Sequence, residues 1–177
     1  MPNEHDARGN IDKLLVAAGW VVCDASKANI HAARGVAIRE FPLKNGHGYA
    51  DYLFYIDGKA AGVIEAKKEG VTLTGVETLS DKYTKGLPDG LPKWHNPLLF
   101  SYQSTGIETR FTNGMDPEPR SRRLFAFHRP EVLGELLESK NFLDNLCNFS
   151  KIGLASHPHW RWTKPRCSPW KIQCWSL

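Results

Sequence analysis

Apolar residues near the N-terminus recur first with the spacing of a helix and then with that of a strand. Over residues 6–18 they fall at every third or fourth position, which predicts an amphipathic helix. Gly19 marks its end, because glycine readily takes the left-handed conformation in which many helices stop. The short apolar run of residues 20–23 then predicts a strand, and the polar residues 24–35 predict a loop.

Alternating apolar and polar residues predict a β-hairpin in the middle of the chain. Residues 36–41 alternate as one strand, and residues 49–56 and 60–67 form two more. Asp57-Gly58 lies between the latter two, and this dipeptide is a strong signal for a tight hairpin turn.

The remaining elements complete the order helix, strands, helix, strands, helix. This order favours an α/β (α+β) fold, with a mixed central β-sheet flanked by helices. The elements are a helix over about residues 76–86, strands over residues 98–103, 107–111 and 123–127, and a helix from Pro130 to about residue 138.

Composition places the chain among ordinary globular proteins. A length of 177 residues suits one domain with a short appendage, and the hydrophobic and charged fractions are 41% and 24%. No window has the apolar length of a transmembrane helix, and the N-terminus lacks a signal-peptide core. We therefore expect a cytoplasmic protein without membrane contact, whose four cysteines are free thiols.

The net charge of +4 arises from the C-terminal tail. Residues 148–177 hold five basic residues and no acidic ones, so the rest of the chain has 18 Lys and Arg against 19 Asp and Glu. Any nucleic-acid contact by residues 1–147 must then come from a local patch. Candidates for this patch are Arg34, Arg39, Lys68, Lys82, Lys85, Arg110, Arg120, Arg122 and Arg123.

The hairpin carries two carboxylates and a lysine. Asp51 and Glu65 supply the hard oxygen ligands that Mg²⁺ prefers, and the backbone carbonyl of Ala66 offers another. Lys67 shares a strand face with Glu65, where it can hold an attacking water or a phosphate while the metal lowers the pKa of the water. The alternative is a surface hairpin whose charges are solvated strand ends.

The length of the hairpin loop decides whether Asp51 can join Glu65. A two-residue turn at Asp57-Gly58 would place Asp51 opposite Ile64, on the wrong face of the sheet. A loop with an odd number of residues would place Asp51 opposite Glu65. We therefore expect an odd-length loop.

These residues match a known pattern. Asp51, followed after thirteen residues by Glu65-Ala66-Lys67, resembles the PD-(D/E)xK nuclease motif, with Ala50 where the motif usually has proline. Residues 4–150 as a whole resemble the N-terminal domain of the R (restriction) subunit of type I restriction endonucleases. The segments that carry this resemblance, in the family's order, are ARGNIDKLLVAAGWVV, GVAIREFPL, ADYLFYIDGKAAGVIEAKK, LTGVETLSDKYTKGLP, STGIETRF and SRRLFAFHRPEVL.

The resemblance implies a restriction-endonuclease-like core and Mg²⁺-dependent hydrolysis of double-stranded DNA. It also implies a complex with methylation and specificity subunits. By the family pattern, Asp51 and Glu65 bind the metal together with the Ala66 carbonyl, and Lys67 is the catalytic lysine. Tyr83 matches a tyrosine that the family often places four residues after a glutamine, but here position 79 is leucine, which predicts less than full activity.

Three further residues are candidates for a supporting role. Glu4 and Arg8, one helical turn apart, match a charged pair on the family's first helix, or form an ordinary surface pair. His47 precedes Asp51 in a glycine-flanked turn and is a candidate for a phosphate contact, or a simple loop histidine.

The chain contains no G-x-x-x-x-G-K-[ST] phosphate loop. We therefore expect ATP to be used only by full-length family members, and residues 1–150 to be the nuclease domain of a fragment without the helicase motor. Residues 151–177 form an aberrant basic, Trp-rich tail, expected to be disordered or the product of a frameshift. A nucleic-acid-binding arm is the rival interpretation, and a zinc site of His157, His159, Cys167 and Cys174 matches no common spacing.

Two functions from different classes remain open at this point. The first is an Mg²⁺-dependent endonuclease domain of a restriction system. The second is a catalytically silent remnant or a docking module with the same fold. A repair or junction-resolving nuclease of the same superfamily is a third, against which the family-like segments outside the hairpin argue.

Overall fold

The computed structural model describes residues 4–70, 73 and 86–153, and within them the side chains of residues 7–70, 73 and 86–145. The described residues form one seven-stranded sheet, whose strands follow one another in space as they do in the chain. The elements are α1 (Glu4–Ala17), β1 (Val21–Asp24), a 3₁₀ turn (Ala25–Lys27), β2 (Gly35–Pro42), β3 (Tyr49–Ile56), β4 (Lys59–Ala66), β5 (Phe100–Ser104), β6 (Thr109–Asn113), β7 (Arg122–Leu124) and α2 (Pro130–Gly153).

The sheet is mixed, as the alternation of helices and strands predicted. Strand β1 pairs in parallel with β2, and β4 pairs in parallel with β5. The other four neighbouring pairs are antiparallel. The predicted α+β class with a mixed sheet and helices is thus confirmed.

Two layers of apolar side chains lie on the two faces of the sheet. On one face, α1 and the first turns of α2 cover the aromatic-rich strands β3 to β6; this layer includes Ile11, Leu15, Trp20, Tyr52, Phe54, Ile64, Phe100, Tyr102, Phe111, Leu133 and Leu137. On the other face, a smaller layer lies over β2 to β4 and includes Val36, Ile38, Leu53, Tyr55, Val63, Leu87 and Leu98. Successive side chains of a strand alternate between these layers, as expected for a sheet buried on both faces.

The second helix is longer than the sequence predicted. The prediction stopped near residue 138, where several polar residues follow one another, but α2 continues to Gly153. None of residues 138–152 is glycine or proline, so no helix-breaking residue stops it earlier. The helix predicted over residues 76–86 lies almost entirely outside the described residues.

The chain divides into two compact units, residues 1–141 and 142–177. The sheet, α1 and the start of α2 belong to the first. The end of α2 is the described part of the second, and the tail that the sequence analysis set apart lies outside the described residues from position 154 onward. Neither described helix has the length and apolarity needed to cross a membrane.

The turn between β3 and β4 corrects the predicted loop. Ile56 pairs with Lys59, so the loop has two residues and the prediction of an odd-length loop is wrong. Asp57 and Gly58 both have positive φ, 49° and 74°, which is the backbone of a type I′ turn. This turn favours Asp-Gly because its twist matches that of the flanking strands.

The additional residue lies inside β4 instead of in the loop. Near the turn Tyr55 pairs with Ala60, whereas one position further Phe54 pairs with Gly62. Ala61 is therefore an extra residue on one strand, which defines a β-bulge. The backbone of Ala60 beside it is bonded on its other side, with its N–H donating to the carbonyl of Pro92 at 2.8 Å and its carbonyl accepting the N–H of Trp94 at 2.9 Å.

Candidate active site

The bulge decides which residue lies opposite Asp51. Beyond Ala61 the register pairs Tyr52 with Ile64, so the next position along the two strands brings Asp51 opposite Glu65. This is the pairing that a shared site requires, reached by a bulge where the sequence analysis expected a longer loop. An unbroken register from the two-residue turn would have placed the two carboxylates on opposite faces.

The carboxylate of Asp51 is held on both of its oxygens. Its Oδ2 accepts the backbone N–H of Ala66 at 3.0 Å, which fixes the side chain at the end of β4. Its Oδ1 lies 2.6 Å from Nη2 of Arg8, which reaches it from α1. The Asp51 side chain is 19% exposed, so it is half-buried yet open to a small ion.

Glu65 and Lys67 form the second charged pair of the site. Glu65 Oε1 lies 2.6 Å from Lys67 Nζ, as expected for side chains two residues apart on one face. The lysine follows directly after β4, and its backbone N–H donates to the carbonyl of Ser104 at 2.9 Å. This bond ties the lysine to the end of β5.

Glu40 is a third acidic residue beside Asp51, and the sequence analysis missed it. It lies between two residues of β2 that pair with Tyr52 and Ala50, so its neighbour on β3 is Asp51. Arg8 Nη1 lies 2.7 Å from Glu40 Oε1, so one guanidinium bridges both carboxylates. Glu40 also has a φ of 49°, which costs about 1 kcal/mol or more in a residue other than glycine. Only the pairing of β2 with β3, which is not visible in residue spacing, would have revealed it.

A second set of polar contacts fixes α1 against the strands beneath the site. The Tyr52 hydroxyl donates to Asp12 Oδ1 at 2.8 Å and lies 3.2 Å from the backbone carbonyl of Arg8. Burial raises the pKa of Tyr52, and the hydrogen bond to Asp12 raises it further, so the hydroxyl remains a donor. Arg39 binds Asp12 at 2.8 Å and Asp24 at 3.0 Å. These contacts hold the helix turn that carries Arg8.

A cavity of about 230 Å³ lies between these groups, and Arg8, Asp12, Arg39, Glu40 and Asp51 are among its lining residues. A neighbouring cavity of about 210 Å³ shares three of them, Arg8, Glu40 and Asp51, and adds Tyr49. The exposed ring of Tyr49 is therefore a further group at the site that the sequence analysis missed.

The other predicted residues are less closely connected with this centre. His47 lies in the turn after β2, where its backbone N–H donates to the carbonyl of Lys44 at 3.0 Å, and its side chain lies against Gly86. Glu4 begins α1, but its side chain is outside the described set. Tyr83, Leu79 and the four proposed zinc ligands of the tail also lie outside the described residues.

The donor set suits a hard divalent cation. Asp51 and Glu65 bring two carboxylates to the end of one strand, with the Ala66 backbone between Glu65 and Lys67, and one or two carboxylates are what Mg²⁺ usually takes from a protein. Within the described parts of the chain there is no group of three or more His, Cys, Asp or Glu side chains placed to hold a metal ion. With two carboxylates from the chain, an Mg²⁺ ion at this place would keep most of its water ligands.

Comparison with known proteins identifies the family. The family model described as the type I restriction enzyme EcoKI endonuclease subunit second domain matches residues 25–113, which include β2 to β6 and the residues Asp51, Glu65 and Lys67. The chain is also similar to the type I restriction enzyme EcoKI endonuclease subunit of Escherichia coli (strain K12), with 25% identity over 209 residues. That similarity covers 86% of this chain and 18% of the relative, so the chain spans less than a fifth of the relative's length.

No solved structure matches the chain. The resemblance to restriction subunits is confirmed by the family match, although the matched region is described as the second domain and not as the N-terminal one. The chain belongs to the family of type I restriction enzyme endonuclease subunits.

Proposed function

We propose that this chain is an Mg²⁺-dependent DNA endonuclease domain with a PD-(D/E)xK core. The observation that carries the proposal is the convergence of three side chains at the end of β4. Asp51 binds the N–H of Ala66 at 3.0 Å, and Glu65, the preceding residue, lies 2.6 Å from Lys67. Two carboxylates and a lysine in this arrangement are the groups that metal-assisted phosphodiester hydrolysis needs.

Each side chain has a defined role in the proposal. Asp51 and Glu65 hold Mg²⁺, with the backbone carbonyl of Ala66 as a further oxygen ligand. When bound, the ion lowers the pKa of a water molecule and stabilises charge on the phosphate. Lys67 orients that water or binds a phosphate oxygen from its place beside Glu65, and its positive charge favours the more negative transition state.

Arg8 contributes by positioning Asp51. Its guanidinium bridges Asp51 and Glu40 at 2.6 and 2.7 Å, and so offsets the repulsion between two carboxylates on neighbouring strands. The two oxygens of Asp51 then have fixed directions, one toward the guanidinium and one toward the backbone of β4. The contact orients Asp51, while the positive charge of Arg8 opposes the arrival of a metal ion at the same carboxylate.

The substrate and partners follow from the family. Because the chain belongs to the endonuclease subunits of type I restriction enzymes, double-stranded DNA is the proposed substrate, and methylation and specificity subunits are the proposed partners, in the cytoplasm. ATP is proposed as a cofactor only of the longer relatives. The alternative is a catalytically silent docking module. A parent chain that fails to nick DNA in the following experiment would favour that alternative.

The test is the nicking of supercoiled plasmid DNA by the purified chain, with Mg²⁺ and with EDTA. We expect Mg²⁺-dependent nicking that falls by about 10²-fold or more in Asp51→Ala and Lys67→Ala, because each removes a group that stabilises charge in the reaction. Lys27→Ala is the control, since Lys27 is an exposed lysine that belongs neither to the site nor to the candidate basic patch. A parent chain that does not nick DNA, or equal losses in Lys67→Ala and Lys27→Ala, would displace the proposal.

A further inference from the structure

A row of polar side chains crosses the sheet from the candidate active site to its far edge. Glu65 of β4 pairs with Gln103 of β5, Gln103 pairs with Arg110 of β6, and Arg110 pairs with Arg123 of β7. Directly paired residues of neighbouring strands lie side by side on one face. These four side chains therefore form a continuous line that begins at a proposed metal ligand and ends in two arginines.

The face on which this row lies follows from the core. Tyr102 and Phe111, the chain neighbours of Gln103 and Arg110, are buried under the helices. Leu124, which follows Arg123, also packs against that layer. Because strand residues alternate between faces, Gln103, Arg110 and Arg123 lie on the opposite face.

The same alternation separates the basic residues that the sequence could not assign to a face. Arg123 belongs to the row, whereas its neighbour Arg122 pairs with Phe111 and lies on the helix side of β7. There Arg122 binds Asp116 at 3.0 Å. Arg122 and Arg123, although adjacent in β7, therefore lie on opposite faces of the sheet.

Two arginines placed directly opposite each other are unfavourable unless an anion joins them. Like charges in paired positions repel and destabilise a sheet. Arg110 has a partial compensation, because its Nε lies 3.0 Å from Glu108 Oε1, and Arg123 is exposed at the sheet edge. A phosphate between the two guanidinium groups would remove the repulsion, and bidentate binding of phosphate is what arginine favours.

A cavity lies beside Arg110, next to the segment that follows β4. This cavity of about 310 Å³ is lined by Glu69 and Gly70, which follow the catalytic strand, and by Thr105, Glu108 and Arg110. With neighbouring strands about 4.8 Å apart, the backbones of Arg110 and Arg123 are about 10 and about 15 Å from that of Glu65.

We infer that the row Gln103–Arg110–Arg123 is the track along which one strand of the substrate lies as it leaves the cutting centre, held by its phosphates. This inference rests on the proposed function, since the track begins at Glu65. A neutral amide followed by two guanidinium groups contacts the backbone irrespective of base sequence, because phosphate contacts position a strand and carry no direct sequence information. Such a track suits a cutting domain that does not itself read the target.

The test measures binding of a labelled DNA duplex to the full chain by fluorescence anisotropy, from about 50 to about 200 mM salt. The Lys67→Ala background with Mg²⁺ keeps the duplex intact. We expect Arg110→Gln and Arg123→Gln each to reduce the steepness of log K against log salt by about 0.9, the value for one lost phosphate contact. Arg123→Lys keeps the charge and should keep the slope, and Arg122→Gln is the matched control that should leave it unchanged.

Several results would overturn the track. They are an unchanged slope in both Arg110→Gln and Arg123→Gln, an equal change in Arg122→Gln, and no binding of DNA by the chain. Arg123-dependent binding of polyglutamate in place of DNA would also overturn it, by assigning the row to an acidic protein partner. A chain that binds DNA with the expected slopes but never nicks plasmid would contradict the proposed function and leave the track standing. A chain that nicks plasmid, but whose slope neither arginine substitution changes, would support the proposed function and overturn the track.

Discussion

Arg8 Nη2 lies 2.6 Å from Asp51 Oδ1, so a residue of the first helix is bound to the first acidic residue of the proposed metal site. A guanidinium at this distance opposes the arrival of a second cation at the same carboxylate. The arginine is also bound to Glu40, so it remains beside the site when Asp51 binds an ion. The relationship therefore bears on metal affinity as well as on the orientation of Asp51.

The first prediction concerns the affinity for Mg²⁺. Arg8→Gln removes the positive charge but keeps a side chain that can hydrogen-bond, so we expect the dissociation constant for Mg²⁺, measured by calorimetry without DNA, to fall by about tenfold, or about 1.4 kcal/mol. Arg122→Gln, a change of the same kind at the far edge of the sheet, should leave it unchanged. Weaker binding in Arg8→Gln would contradict this prediction, because the loss of the orienting contact would then outweigh the loss of charge repulsion.

The second prediction concerns the bulge at Ala61. Deleting Ala61 removes only the extra residue, so an unbroken ladder from the two-residue turn still pairs Asp51 with Glu65, and we expect nicking to be retained. Inserting one glycine after Ala61 should instead shift the end of β4 by one position, bring Ile64 opposite Asp51, turn Glu65 to the other face and abolish nicking. Circular dichroism and urea unfolding check that both variants fold. Full activity of the insertion variant would show that the register does not set the site.

The third prediction concerns the close approach of β4 and β5. A Cβ on Gly62 would lie 2.5 Å from the carbonyl oxygen of Phe100, which is backbone and cannot move aside cheaply. We expect Gly62→Ala to reduce the free energy of unfolding by about 1–3 kcal/mol, measured with urea. Gly9→Ala is the control, because it lies in α1 with nothing within 4 Å of the added methyl group. That change should instead raise stability by about 0.5–1 kcal/mol.

The fourth prediction concerns the pH dependence of stability. Burial lowers the pKa of His128, whose Nδ1 lies 2.7 Å from the Tyr102 hydroxyl. The unfolded chain therefore binds a proton at this residue more readily than the folded chain. The contribution of His128 to stability is complete above its unfolded pKa of about 6.5, and is lost as the pH falls through the lower folded pKa.

Urea midpoints at about pH 7.5 and about pH 5.5 test this prediction. The parent should lose stability at the lower pH, and His128→Gln should lose less of it, because glutamine does not titrate. An identical loss in the parent and in His128→Gln would assign the pH dependence to other groups.

Local signals in the sequence were enough to predict most of the strands. The alternating pattern and the Asp57-Gly58 turn gave β3 with the bounds that the structure has, residues 49–56. The register beyond the turn was not predictable in the same way. Ala61 carries no mark of a bulge, since its position depends on bonds that Ala60 makes to Pro92 and Trp94, far along the chain.

The candidate site was predictable where it rests on spacing and on the family resemblance. Asp51, Glu65 and Lys67 were named from the sequence, and the structure brings them to one strand end. Arg8 and Glu40 could not be assigned to Asp51, because their meeting depends on how α1 crosses the sheet and on a left-handed residue in β2. The row from Glu65 to Arg123 likewise exists only through the pairing of four strands.

The most direct test of the central claim separates the binding of the metal from the cutting of DNA. Mg²⁺ binding by calorimetry and plasmid nicking are measured for the parent, for Lys67→Met and for the double variant Asp51→Asn, Glu65→Gln. The account predicts that Lys67→Met binds Mg²⁺ at least as tightly as the parent, because a cation beside Glu65 is removed, but does not nick, and that the double variant does neither. A double variant that still binds Mg²⁺ and nicks at the parent's rate would contradict it.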